Sequence, residues 1–233
     1  KNELMFHFIQ YIERQIVLFD AIEDAGFSYV NNMHGRGTLR YIKEEAISSN
    51  NLNSLREYLN NFRVRIVLTA HPTQFYPDTV LGIINDLSKS INSGSLDTIK
   101  KLLNQLGRTR FYQNKKPSPY DEATSLIWYL ENVFYHSAGN IVNYLNENIF
   151  EGNKLNNSIF DFGFWPGGDR DGNPFVTPEI TIKTAEKLKH SILRNYYRSL
   201  RSLKRKVTFD GVYDKVEDLE NKVYRSLFNP SRQ

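Results

Sequence analysis

A predominantly α-helical fold with a few short strands is predicted by three features of the 233-residue sequence. Apolar residues recur at three-to-four-residue steps through most of the chain, the period of helices that turn one face to a core. Only two short runs, VRIVLTA at 64–70 and IFDFGFWPGG at 159–168, carry the β-branched or aromatic density of buried strands. Gly, Asn and Pro clusters separate the helical stretches and mark turns and helix ends.

Taken in order, residues 6–30 place Phe8, Ile12, Ile16, Phe19 and Ile22 on one stripe, with Glu13, Arg14 and Asp20 between them. Gly26 is expected to end this helix, because glycine enters the left-handed C-terminal turn without a side-chain clash. After NNMHGRGT, residues 38–61 read as two short helices broken around SSNN, and 64–70 as a strand leading straight into HPT. Residues 78–92 and 95–106 are expected to be helices separated by Ser93 and Gly94. Ser118 is placed to cap the next helix, with Pro119 at its first position and Asp121 and Glu122 near the positive end of its dipole. That helix should run to about Asn148, followed by the polar linker EGNKLNN and the second strand. A final long helix starts at Pro178, capped by Thr177. Within it, the basic stretch at 187–206 has an apolar stripe of Leu188, Ile192, Tyr196, Leu200 and Leu203. Its Lys and Arg read as a solvated face, with phosphate or nucleic-acid binding as the lesser alternative.

Composition narrows the classes. No window approaches the roughly 18 consecutive apolar residues that a membrane-spanning helix requires. Lys plus Arg number 30 against 26 for Asp plus Glu, an excess too small and dispersed to argue nucleic-acid binding. Cysteine is absent, so disulfides and thiolate metal sites are ruled out and a cytoplasmic setting is expected. The first residue is Lys1, followed by polar residues and not by a secretion signal, and a chain trimmed at its start is the expectation.

Two constellations could carry chemistry. In TAHPTQ at 69–74, Pro72 disfavours the α region for His71, which holds the imidazole on extended backbone at a strand end. Histidine exchanges protons near neutral pH, although a structural His at a strand end would look the same. In GGDRDGNP at 167–174, Arg170 lies between Asp169 and Asp171, two carboxylates that could orient its guanidinium toward a phosphate. The reading that the local sequence favours is a strand-to-helix turn in which Asp and Arg pair with each other and with backbone. A calcium loop is excluded, because Gly172 falls at loop position 4 rather than 6 and Ile180 occupies the position of the required Glu. HGRG at 34–37 reads as a connecting turn, with an anion-binding turn as the lesser alternative.

Together, VLTAHPTQ and WPGGDRDGNPFVT resemble two motifs of phosphoenolpyruvate carboxylase, in the family's order and at a compatible separation. KPSPYDEA and the helix after it are similar to the family segment between those motifs, so the resemblance covers roughly residues 60–205. It implies the N-terminal part of a helix-rich α/β barrel of the TIM type. Residues 1–233 would then be a single N-terminal region, with a helical lead-in over about 1–62 and a barrel-forming part over about 63–233. The implied enzyme is a cytoplasmic lyase that uses Mg²⁺ or Mn²⁺ to convert phosphoenolpyruvate and bicarbonate into oxaloacetate and phosphate. Its expected state is a homo-oligomer, with neither nucleic acid nor membrane as a partner. His71 matches the motif histidine that acts on carboxyphosphate, and Arg170, Asp169 and Asp171 match the second motif, with a role in shaping the site. The family's metal-binding acids and most of its phosphate-binding arginines lie C-terminal to this region. The chain is therefore expected to be inactive alone, and its metal ligands to lie elsewhere. One departure is that the family has an Arg soon after TAHPT, where this chain has QFYPDT with Tyr76 and Pro77. The alternative from another class is a non-catalytic anion-binding or regulatory module that retains the motifs.

Overall fold

The computed structural model describes residues 2–69, 76, 78–111 and 117–228. In chain order the elements are α1 (Asn2–Val30), α2 (Leu39–Ser48), α3 (Leu52–Asn61), β1 (Val64–Leu68), α4 (Asp78–Asn92), α5 (Leu96–Arg108), α6 (Pro119–Tyr129), α7 (Tyr135–Asn148), β2 (Phe160–Phe164), α8 (Pro178–Lys204) and α9 (Tyr213–Phe228). A π-helical turn, Leu130–Phe134, joins α6 to α7. The fold is mostly helical, as the apolar periodicity predicts. Among the described residues no helix is long and apolar enough to cross a membrane. Two compact units form, one from described residues within Lys1–Ser49 and His71–Lys116, the other from those within Asn50–Ala70 and Pro117–Gln233.

In the first unit, α1 packs on α4 and α4 on α5. Val17, Ala21, Val80, Ile83, Leu87 and Leu106 form the core, with Ile84, Ile91, Ile99 and Leu102 against it. This corrects the expected face of α1. Val17, Ala21 and Ala25 are buried at four-residue steps, whereas Phe8 and Phe19 are 65% and 68% exposed and Ile12, Ile16 and Ile22 are exposed too. The helix carries two apolar faces, and the small residues admit the closer approach of a partner helix. Nor does α1 end at Gly26. It continues to Val30, where the backbone N–H and the side-chain amide of Asn31 both donate to Phe27 O, at 3.0 and 2.9 Å. HGRG forms the turn into α2, with Gly35 N–H donating to Asn32 O (3.1 Å). Arg14 ties α1 to the end of α5 by donating to Leu106 O (3.2 Å) and Thr109 O (3.3 Å), its guanidinium 5.0 Å from the centre of the Phe111 ring.

The second unit contains a two-stranded parallel sheet, in register from Val64 opposite Phe160 to Leu68 opposite Phe164. Val64 N–H donates to Ile159 O (2.8 Å) at one end, and Trp165 N–H to Leu68 O (3.0 Å) at the other. Arg65 Nε donates to Asp161 Oδ2 across the strands at 2.6 Å. Asn157 guides the entry of β2, donating to Leu59 O (3.2 Å) while its own Oδ1 accepts from Arg63 Nε (3.1 Å). Just past α7, Ile149 O accepts from Arg56 Nε at 2.6 Å, and the linker then carries the chain back to the strand.

The buried side of α8 departs from the predicted stripe. Ile192, Tyr196 and Leu203 are exposed, and the buried positions are the polar Thr184, Ser191 and Asn195. They face a polar partner. Glu131, only 8% exposed in the π-helical turn, accepts from Ser191 Oγ (3.1 Å), Arg194 Nη1 (3.4 Å) and Arg198 Nη1 (3.0 Å), while Asn195 Nδ2 donates to the Glu131 carbonyl (2.9 Å). The sequence reading has no counterpart for α9, which packs along α8 through Val216 and Leu227 and pairs Glu220 with Lys204 at 2.5 Å.

The cap of α6 is a reciprocal box. Asp121 N–H donates to Ser118 Oγ (3.2 Å), and Ser118 N–H and Oγ donate to Asp121 Oδ2 at 2.9 and 2.6 Å. Those bonds from Ser118, with the Lys183 charge nearby, hold the Asp121 carboxyl below its ordinary value of 3.8. A carboxyl depressed on folding stabilises the fold above its unfolded value, and that contribution is lost as pH falls through the folded one. Asp121→Asn is therefore expected to lower the thermal unfolding midpoint at about pH 7, and to have a shrinking effect below about pH 4. An unchanged difference in strong acid would show that the charge is not what the cap uses.

Candidate functional site

The parallel register brings the last residues of β1 and β2, Leu68 and Phe164, side by side at one edge of the sheet. In open and closed α/β sheets that edge is where ligands are bound. The segment after β1 holds His71, which lies outside the described residues. The segment after β2 is described throughout and can be built from its backbone upward.

Trp165 O accepts from both Gly168 N–H (2.9 Å) and Asp169 N–H (2.8 Å), which folds WPGGD into a tight turn. Gly167 sits at φ +72, a conformation that side chains rarely adopt, and it packs directly on Thr184 of α8. A Cβ added there would overlap Thr184 Oγ1, so glycine is required twice over, by dihedral and by contact. Thr184 Oγ1 is itself buried and makes no hydrogen bond among the described residues. A second turn follows at Asp171 (φ +32) and Gly172 (φ +76), and Asn173 N–H then donates to Arg170 O. Asn173 Oδ1 accepts from Phe175 N–H (3.0 Å), and Thr177 Oγ1 from Ile180 N–H (3.4 Å), which starts α8. The Thr177 hydroxyl also holds the Glu179 carboxyl below the usual glutamate range.

Asp169, Arg170 and Asp171 are all exposed on this turn. Among the described residues Arg170 pairs with neither carboxylate, so the expected clamp of Arg170 between Asp169 and Asp171 does not form. All three side chains are exposed, so hydration competes with pairing and a surface Asp–Arg contact would gain little. Arg170 is thus a solvent-facing cation on a hydrogen-bonded turn, suited to meet an anion. Among the described residues, no cluster of three or more His, Asp or Glu could hold a metal ion. The supporting role of Thr184 was not legible beforehand, because nothing in its sequence position distinguishes it from other helical threonines.

The family model for phosphoenolpyruvate carboxylase matches residues 20–229 of the chain, both motif segments included. The chain belongs to the phosphoenolpyruvate carboxylase family. A phosphoenolpyruvate carboxylase of Shewanella halifaxensis (strain HAW-EB4) is 27% identical over 194 residues, covering 75% of this chain and 22% of that protein. One from Prochlorococcus marinus (strain MIT 9515) is 32% identical over 179 residues, covering 70% of this chain and 18% of that protein. The chain spans about a fifth of the length of such curated relatives of the phosphoenolpyruvate carboxylase family.

Gly167→Ala is expected to destabilise the second unit by about 2 kcal/mol or more, from left-handed backbone strain together with the Thr184 overlap. In a Thr184→Ala background the cost should fall, because the overlapping hydroxyl is gone. Urea denaturation of the four variants measures this as a double-mutant cycle. Strict additivity would show that Thr184 does not set the constraint.

Proposed function

We propose that this chain forms the N-terminal part of a phosphoenolpyruvate carboxylase active site, with β1 and β2 as strands of an α/β barrel completed by the rest of the polypeptide. The observation that carries the reading is the in-register parallel pair, whose ends Leu68 and Phe164 lie side by side at the two motifs. Exposed apolar side chains support it further. Trp165 and Phe175, 53% and 71% exposed, flank the Arg170 turn and offer surface for later strands and loops to cover.

In the reaction, a bicarbonate oxygen attacks the phosphorus of phosphoenolpyruvate and the enolate of pyruvate departs with the electron pair of the broken P–O bond. The resulting carboxyphosphate releases CO₂ and phosphate, and the enolate carbon attacks CO₂ to give oxaloacetate. His71 is assigned to the breakdown of carboxyphosphate, where an imidazole that exchanges a proton near neutrality is suited to the change in charge. Arg170 is assigned to the anionic wall of the site, with Asp169 and Asp171 shaping its turn. The described residues do not fit a Mg²⁺ or Mn²⁺ ion, and its ligands are assigned to later parts of the polypeptide. A cytoplasmic, homo-oligomeric enzyme belongs to the same proposal.

On this reading the 233-residue chain alone forms no oxaloacetate from phosphoenolpyruvate and bicarbonate with Mg²⁺, as followed by a malate-dehydrogenase-coupled assay. Robust turnover would overturn the assignment of essential groups to the remaining polypeptide. In the complete enzyme, His71→Asn is expected to lower kcat for carboxylation by about 100-fold or more, with little change in the unfolding midpoint. Wild-type turnover in that variant would remove His71 from the mechanism and favour a purely anion-binding role for the motifs.

A further inference from the structure

We propose that a second, separate site on this chain binds the dianionic phosphate group of a small phosphate monoester. It is a cleft of about 370 Å³ between the start of α7 and the C-terminal half of α8, lined by His136, Asn195, Arg198, Ser199, Ser202 and Lys206. The proposal does not depend on the carboxylase reading. From Pro178 at the motif end of α8 to Arg198 is twenty residues of helix, about 30 Å at 1.5 Å per residue, so the cleft is not the Arg170 turn.

Charge selects the ligand class. No carboxylate lines the cleft. Glu131 is the single acid shared by Arg194 (3.4 Å) and Arg198 (3.0 Å), which leaves one positive charge of that trio in excess. Lys206 adds a second, because it forms no ion pair among the described residues and its backbone N–H is tied to Leu203 O (2.8 Å) just beyond the helix. Cations at a helix C-terminus also offset the macrodipole, but that role needs neither a cleft nor hydroxyl donors. Here Ser199 and Ser202 supply two hydroxyls, and Ser199 Oγ is positioned by Tyr135 Oη at 3.3 Å. The Tyr135 and Tyr196 rings lie 6.3 Å apart beside it. Two excess cations with hydroxyl donors match a phosphate dianion, and a volume in the range of small-molecule pockets (about 300–1,000 Å³) leaves room for an ester substituent.

The test uses the 233-residue chain, with inorganic phosphate and glycerol 3-phosphate as probes at ionic strength matched by chloride. Saturable shifts of the His136, Ser199 and Ser202 amide resonances are expected for both probes, and tighter binding for glycerol 3-phosphate. Lys206→Glu should weaken binding by about tenfold or more, equivalent to about 1.4 kcal/mol. Lys154→Glu makes the same charge change beyond the opposite end of α7 and should alter binding by less than about twofold. Ser202→Ala, which leaves every charge in place, should also weaken binding and guards against a Lys206 variant that fails to fold. The proposal is overturned by shifts that do not saturate, by equal weakening in Lys154→Glu, or by inorganic phosphate binding as tightly as the ester.

Discussion

The candidate site depends on one constraint, the in-register parallel pairing of β1 with β2. Ninety-one residues separate Leu68 from Phe160, and parallel strands cannot be joined by a short hairpin. What fixes the register lies at the ends: Asn157 and Ile159 O where the strands begin, Trp165 N–H on Leu68 O where they finish. A slip by one residue would carry the WPGGD turn out of step with β1 and put every strand side chain on the wrong face. The turn's geometry is thus inherited from backbone pairing rather than built by its own side chains, which explains how Asp169, Arg170 and Asp171 can all remain exposed.

Beside its buried apolar residues, Ile127, Leu145 and Ile149 among them, the second unit carries a buried polar seam. Glu131 loses most of its hydration and recovers it through Ser191, Arg194 and Arg198, and Asn195 meets the carbonyl of the same residue. Both arginines remain substantially exposed, so solvent screens much of the Coulomb attraction and the hydrogen bonds carry more of the interaction than the charges. Such a seam is directional. Apolar side chains tolerate sliding, whereas a carboxylate met by donors spread over about two turns of α8 restricts the rotation and height of that helix.

How much was legible in the sequence follows from how local each cause is. Both strands, the break at SSNN, the Ser118 cap and the Thr177 cap were readable because they are set within a few residues by dihedral preference and short-range hydrogen bonds. The buried faces of α1 and α8 were not, because each helix offers two faces and only a partner decides between them. On α1 the small residues Ala21 and Ala25 won over bulky Phe8 and Phe19, and on α8 Ser191 and Asn195 won because a buried carboxylate stands opposite. The π-helical turn that aims Glu131 leaves no periodic signature in a five-residue span. For the site, spacing and turn chemistry located the Arg170 segment, while its function came from the pairing of two motifs, and the free guanidinium of Arg170 reversed the expectation of a carboxylate clamp.

The contact between Gly167 and Thr184 gives α8 a mechanical meaning. Thr184 lies about 13 Å along the helix from the seam centred on Ser191 and Asn195, so pivoting α8 by about 5° there would displace Thr184 by about 1 Å. No slack exists to absorb that at a glycine whose hydrogen already faces the threonine, and the hairpin-like knuckle that presents Arg170 must travel with the helix. Strut and knuckle form one stiff part, and the aim of the guanidinium is set by how the distant carboxylate seats the strut.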